Sequence, residues 1–590
     1  MKYPKLRELD ASRQMVDVFK GYNHNLRIGD GEFFEMKNMT SDHYPVLSPR
    51  KSRAKYIDES YINGIIAKDN IFIIKGSTVF EVTNKGTVEV CDLRLASNVK
   101  RHMVSIGAYV VVMPDKMWFN TIPEMGLYEH GYIEATFNSE KDVNFAICTI
   151  DGAEYDRIEK SETAPEDPKN MDYWMDISTS PPTLKRYSST SSMWVQIATT
   201  YIKITCEDIG KDFNVYDSVK ISGIVIEALK DLNATMIIQA KGDDYIVVTG
   251  IMFDSSDTQA GGITVKREMP DMDFLVESNN RLWGCKYGVT EEGEMVNEIY
   301  ASKLGDFKNW NCFMGLSTDS YAASCGSDGP FTGAITHMGC PLFWKENFLH
   351  KVYGNYPANF QIQTTSCRGV QKGCHDSLTI VNEVLYYKAK NAVCAFDGSL
   401  PVEVSYALGN ESYSDAVAGS HNNKYYISMK DMADSWHLFV YDTAKNVWHR
   451  EDDTKVDAFC SFKNELYAIV PYGGMNYSIV AMLGSTGDRM NDFEWMVQTG
   501  EIGISSPDMK YISRLTVRMS MDIGTEVNFY AQYDFSDEWE LIFSLRSDNL
   551  RSFSVPIRPK RCDYMRLKIE GRGMAKIYSL TKTIEQGSEL

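Results

Sequence analysis

Strand-sized apolar runs, each bounded by polar turns, recur along the whole chain, and helical periodicity is scarce. The segment "NNRLWGCKYGVTEEGEMVNEIYASKLGDFKNW", Asn279 to Trp310, shows the unit. It reads as a polar turn, an apolar strand, an acidic loop and a second strand, then a Gly305–Asp306 turn ahead of Trp310. Related stretches begin at Lys68, Ile106, Gly339, Val381, Asn422 and Lys463. Taking Ile71, Tyr109, Arg281, Pro341, Val384, Lys424 and Glu465 as equivalent gives spacings of 38, 172, 60, 43, 40 and 41 residues. Four of the six lie near the period of a propeller blade built from four short strands. The 60 accommodates one blade with a long loop, and the 172 one blade plus an insertion of roughly 130 to 150 residues. Seven copies predict an all-β chain with a propeller of about seven blades.

The same pattern divides the chain. Residues 1–50 precede the repeats as an N-terminal arm, 51–121 hold the first blades and 271–485 the remaining ones. Between them, 122–270 carries its own strands, such as "MWVQIATTYIKITC" and "DDYIVVTGIMF", and reads as a β-rich insertion domain. From 486 to 590 the repeat gives way to alternation. Leu515, Val517, Met519 and Met521 alternate with Arg514, Thr516, Arg518 and Ser520, as do Val527, Phe529, Ala531 and Tyr533 with their neighbours. One wet and one buried face per strand predicts a C-terminal antiparallel β-sandwich.

Charge changes the picture at one place. The chain carries a net −19, yet residues 123–270 alone hold 25 Asp and Glu against 13 Lys and Arg, a net of −12. A solvated face explains such a surplus, and so does an acidic face with a task. A chain this acidic does not suit gripping a duplex, which needs clustered cations. It does suit a surface past which DNA slides. No apolar run approaches the roughly 18 residues of a membrane helix, so no membrane insertion is expected. The start, "MKYPKLRELDASRQ", has charges where a signal peptide needs an apolar stretch; synthesis in a cytoplasm without export by that route is the expectation. Twelve scattered cysteines without a CxxC pair read as buried thiols, Cys91, Cys148, Cys206 and Cys460 among them. Cys367 and Cys374, with His375 alongside, lack further ligands at zinc spacing.

Candidate chemistry is thin. There is no GxxxxGK[ST], HExxH, GxSxG or post-strand GxGxxG, and no sialidase-type Asp box. Arg281, Trp283, Cys285 and Asp306 would look like a small site alone, but beside the repeats they read as strand packing and a turn. The carboxylate pairs Asp243–Asp244, Asp271/Asp273 and Asp452–Asp453 sit in turn contexts, where Asp bonds its own backbone. Arg558, Lys560, Arg561, Arg566, Lys568, Arg572 and Lys576 surround Tyr564 in a basic, aromatic run that could meet a nucleic-acid backbone. Arg566 and Lys568 alternate with Met565, Leu567 and Ile569, which favours a wet strand face. No catalytic, cofactor-binding or metal-ligating residue is assigned, no cofactor is expected, and the chain reads as a non-enzyme.

Four stretches together carry a family likeness: Phe19 to Arg50, with its Gly-Asp-Gly and its Pro-x-Leu-x-x-Arg; "STSPPTLKRYSSTSSMWVQIATTYIKI"; "NRLWGCKYG…NEIYASKLGDFKNW"; and "VLYYKAKNAVCAFDGSLP". The chain resembles the packaged-DNA stabilisation proteins of tailed bacteriophages, related in architecture to tail nozzle proteins. The resemblance spans nearly the whole chain and brings no catalytic signature. It implies a virion tail protein assembled in the host cytoplasm, a homo-oligomeric, hexameric ring, that closes or extends the DNA channel. Portal, adaptor or other tail proteins would be its neighbours, and genomic DNA would pass without sequence-specific binding. By this likeness the acidic insertion would form the platform lining the tube. A host-receptor or glycan-binding tail module, using the propeller loops, is the alternative. A propeller glycosidase is the third, and it lacks an identifiable acid/base pair.

Overall fold

In a computed structural model of the chain, six four-stranded antiparallel sheets and one five-stranded sheet follow one another around a common axis. The structure describes residues 11–83, 86–96, 99–155, 157–252, 254–290, 293–490, 493–505, 507–546 and 551–586. The first ten residues of the arm and Glu291–Glu292 of the acidic loop lie outside them. Blades 1 to 6 occupy 62–92, 102–132, 274–324, 331–366, 379–403 and 413–452, and blade 7 begins at 458. The all-β propeller with insertion and sandwich is therefore the architecture.

The polar turn of the repeat is the hairpin between the first and second strands of a blade. Asn279–Asn280, Met338–Gly339, Asn382–Glu383 and Lys463–Asn464 each place two successive residues at positive φ. They join Ser278 to Arg281, His337 to Cys340, Val381 to Val384 and Phe462 to Glu465. Two left-handed residues in a row make the two-residue turn whose twist matches the flanking strands. The second strands that follow are apolar without alternation, as in Ile71–Lys75, where Ile71, Phe72, Ile73 and Ile74 are all buried. A blade sandwiched between two neighbours buries both of its faces.

Blade 7 takes three strands from 458–481 and its fourth from the other end of the propeller, with the short Asp488–Arg489 on that strand's far edge. Ala54–Ser60 pairs antiparallel with Asn476–Ala481, from Ala54 against Ala481 to Ser60 against Asn476. The ring is thus closed by its outer strand, a point the sequence leaves open. Just before that strand, Arg53 reaches Glu451 at 2.6 Å and Asp452 at 3.0 Å. Arg50, the last residue of the Pro-x-Leu-x-x-Arg motif, lies 3.5 Å from the same two carboxylates.

The arm is not a separate extension. Ala11–Val16 pairs with Ala575–Gln586 in one sheet of the sandwich, and Glu32–Lys37 pairs with Glu494–Thr499 in the other. Leu515, Val517, Met519, Val527, Phe529 and Ala531 are buried between the sheets. Arm residues Phe19, Tyr22, Phe33, Met36 and Met39 continue that core into blades 5 and 6, with Tyr386, Phe439 and Trp448.

The insertion leaves blade 2 after Tyr132 and returns at Phe274. It has its own core, with Phe145, Ile204, Phe213, Ile221, Ile246 and Val265 buried together. Its foot is a buried polar joint. Arg267 pairs with the Asp217 carboxylate and donates from Nε to Ile133 O at 2.8 Å. Asn309 Nδ2 donates to Asp217 Oδ1 at 3.0 Å, and Asn309 Oδ1 accepts from the Ser218 amide at 2.8 Å. Asn309 lies in the GDFKNW turn, so that turn is a socket for the insertion.

Candidate axial site

The innermost strands of the blades surround a cavity of about 900 Å³. It is not an open bore. The connection between blades 4 and 5, residues 367–378, runs into it, and the short 3-10 helix His375–Ser377 packs against the inner strands of blades 4 and 6. Gly333, on the inner strand of blade 4, makes the space. A Cβ there would stand 2.8 Å from Leu378 Cδ1 and 3.3 Å from His375 Nδ1.

The tip of this strap meets blade 2 across the axis. Asp376 is paired with Lys100, two residues before the start of the inner strand His102–Ile106. The rings of His102 and His375 stand edge to face with centroids 5.3 Å apart. Phe274, from blade 3, covers His375 at 4.6 Å. Burial pushes the His375 imidazole down to about 4 and lowers that of His102. Burial opposes ionisation of Asp376, but Lys100 and the two imidazoles outweigh it and hold the carboxyl below its ordinary value. The axis thus carries an ion pair beside two imidazoles that stay neutral near pH 7, and the strap crosses it.

The residues singled out in the sequence go elsewhere. Arg281 is buried and donates to Ser302 O, Asp319 O and Ser317 O at 2.7, 2.5 and 2.9 Å, clamping the loop after its blade's third strand. Glu465 does the same in blade 7 as an acceptor, from the Leu483 and Ser485 amides at 2.8 and 2.9 Å. Trp283 and Cys285 are packed between blades. Asp306 accepts from the Lys308 amide at 3.1 Å, as a turn Asp does. Among the carboxylate pairs, Asp244 accepts from the Asp208 amide, Asp273 lies 3.1 Å from Lys286, and Asp452 faces the two arginines. These contacts use the carboxylates in turns and ion pairs. Cys374 is buried with its Sγ 3.5 Å from the Ala416 amide, and His375 finds His102 and Asp376 instead. Burial raises the thiols of Cys91, Cys148 and Cys460 to about 12, so they behave as apolar groups. In the basic C-terminal run, Arg566 pairs with Glu501 and Lys568 with Glu570 on the wet face of their strand, at 2.9 and 2.8 Å.

No family model matches the chain, and neither does any curated protein. Solved structures do. The chain is similar to exo-beta-1,3-galactanase from Phanerochaete chrysosporium at 8% identity, over 52% of this chain and 94% of that one, with a TM-score of 0.21. It is similar to PorZ of Porphyromonas gingivalis at 8% identity, over 84% and 70%, with a TM-score of 0.25. Trypanosoma rangeli sialidase matches at 9% identity over 98% and 96%, with a TM-score of 0.21. Likeness at this level transfers no residue role. The strap that joins His375 to His102 was invisible in the sequence because its partners are 273 positions apart.

Proposed function

We propose that the chain is a non-enzymatic structural subunit of a bacteriophage tail, a ring component that closes or extends the DNA channel. The observation that carries the reading is the rigidly footed insertion, which concentrates a net −12 on one projecting domain. Repeated by cyclic symmetry around one lumen, that charge would present DNA phosphates with a repulsive, weakly adhesive wall, the opposite of a counterion-releasing grip. The propeller axis, crossed by the strap, is unsuited to pass a duplex, so the conduit of this reading lies between copies. Exposed apolar residues beside the foot suit contact between those copies. Phe313, Met314 and Leu316 are 60%, 54% and 58% exposed, in the loop whose Asn311 carbonyl accepts from the Ser218 hydroxyl.

Electron cryo-microscopy of assembled particles tests this. A ring with the insertions lining the lumen, next to portal or adaptor proteins, is the expected result. A monomeric decoration far from the channel, or a ring with a basic lumen and outward insertions, refutes it. A second reading, a glycan- or receptor-binding tail module, is favoured by the axial cavity, whose size suits a small ligand and whose lining includes Trp436, with Lys455 over its ring. Binding of the purified chain to host cells, abolished by Trp436→Ala, would support that reading.

A further inference from the structure

We propose that the axial strap is a metal clasp, in which His102, His375 and Asp376 bind one divalent transition cation of the zinc class. One ligand atom from each of the three lies within 4.8 Å of the others. In a tetrahedral site with bonds of about 2.0–2.2 Å the ligand atoms stand roughly 3.4 Å apart. Rotamer adjustments of about 1 Å therefore complete the geometry. Two imidazoles with one carboxylate select zinc, cobalt, nickel or iron over magnesium and calcium, which prefer all-oxygen shells.

Two further observations point to a ligand there. His375 Nδ1 is fully buried without a hydrogen-bond partner. A buried ring nitrogen is ordinarily satisfied, and this one belongs to a residue of the cluster. Second, the place of a cation is already taken by one. Lys100, whose side chain is 59% exposed, reaches in to neutralise Asp376. The ammonium can swing out into solvent when a divalent ion arrives, leaving three protein ligands and a fourth position for water from the cavity. The ligands come from opposite sides of the ring, His102 from blade 2 and the other two from the connection between blades 4 and 5. Binding would pin the strap across the axis.

The test uses the full chain, freed of metal by a chelator and titrated with Zn²⁺ by calorimetry and with Co²⁺ by visible absorption. Expected are one equivalent of Zn²⁺ with a Kd below about 10 µM and a cobalt d–d band of low coordination number. His102→Phe, which keeps an aromatic ring in the packing, should weaken binding more than about tenfold and remove the band. Lys100→Met should tighten binding several-fold by removing the competing cation, a response that a surface or thiol site would not give. A Cys340→Ser/Cys367→Ser variant, lacking the two less buried thiols, should bind as the parent does. No binding below about 100 µM, binding unaffected by His102→Phe, or weakening by Lys100→Met overturns the proposal.

Discussion

Replacing Arg267 by Met should loosen the insertion and leave the propeller intact. Arg267 and Asp217 are 4% and 2% exposed, and the guanidinium is the cation against the Asp217 carboxylate. Met fills much of the volume but supplies no charge and no donor to Ile133 O. Asp217 keeps the Asn309 side chain at 3.0 Å and the Asn214 amide at 2.8 Å, so it stays solvated by dipoles while losing its counter-charge. Removing one partner of a buried pair costs about 3–5 kcal/mol, which corresponds to a roughly 100- to 4,000-fold rise in local opening. A single unfolding midpoint is poorly defined in a chain of several domains, so the assay is native-state hydrogen exchange. Amides of Ala135–Asn138, Ser218–Ser222 and Thr264–Arg267, which form one sheet, should exchange faster by that factor. Those of blades 5 and 6 should not change. The double variant Arg267→Met/Asp217→Asn should recover part of the loss, because no buried charge is then left alone. Acceleration below about fivefold, or acceleration spread evenly over the chain, would refute the joint as the insertion's foot.

Other outcomes follow from the same structure. Gly419→Ala should destabilise the contact between blades 6 and 7 by about 1–3 kcal/mol, because the new Cβ would stand 2.5 Å from Phe459 Cβ; hydrogen exchange in Tyr413–His421 and Ala458–Phe462 equal to the parent's would contradict that packing. Burial holds His449 at about 3, and burial with the Lys345 charge holds His350 at about 4, both below the ordinary 6.5. The unfolded chain therefore binds protons first, and stability falls as pH drops below about 6.5, by up to about 1.4 kcal/mol per pH unit for each histidine, until the folded values are reached. His449→Phe should remove one proton's worth of that slope between about pH 6 and 4, and an unchanged slope in denaturant titrations would count against it. Under the ring reading, Phe313→Glu with Met314→Glu should leave the monomer folded and abolish higher assemblies in mass photometry; rings that still form would clear this loop of any role in assembly.

The propeller was legible because its information is local. A pair of turn residues such as Asn279–Asn280, followed by a largely apolar strand, marks a blade within a dozen positions, and the recurrence sets the count. The sandwich strands were legible for a similar reason, since Leu515, Val517 and Met519 declare their buried face by alternation alone. What stayed hidden depends on distant partners. Nothing in "AKYIDES" says that Ala54–Ser60 completes the last blade, and nothing in the arm says that Ala11–Val16 finds Ala575–Gln586. Arg281 and Asp306 could be read only as packing and turn; that Arg281 clamps a loop, and that the Asp306 turn receives the insertion through Asn309, needed three-dimensional neighbours. His375 attracted notice beside Cys367 and Cys374, but its actual company sits on blade 2.

The two end-to-end pairings have a consequence for biosynthesis. Ala54–Ser60 emerges from the ribosome about 420 residues before its partner strand, which at roughly 5–20 residues per second is a wait of some 20 to 80 seconds. Ala11–Val16 waits longer still, because its partner residues Leu580 to Glu585 follow it by about 570 positions. Throughout that interval both segments present unpaired strand edges, the kind of surface on which chains aggregate. Early blades can form on the nascent chain, but the ring cannot lock before Asn476–Ala481 has been made, nor the arm join the sandwich before Ala575–Gln586 has. Truncated products would therefore carry open edges, and a chaperone or a neighbouring copy that shields them would set the yield of native subunit.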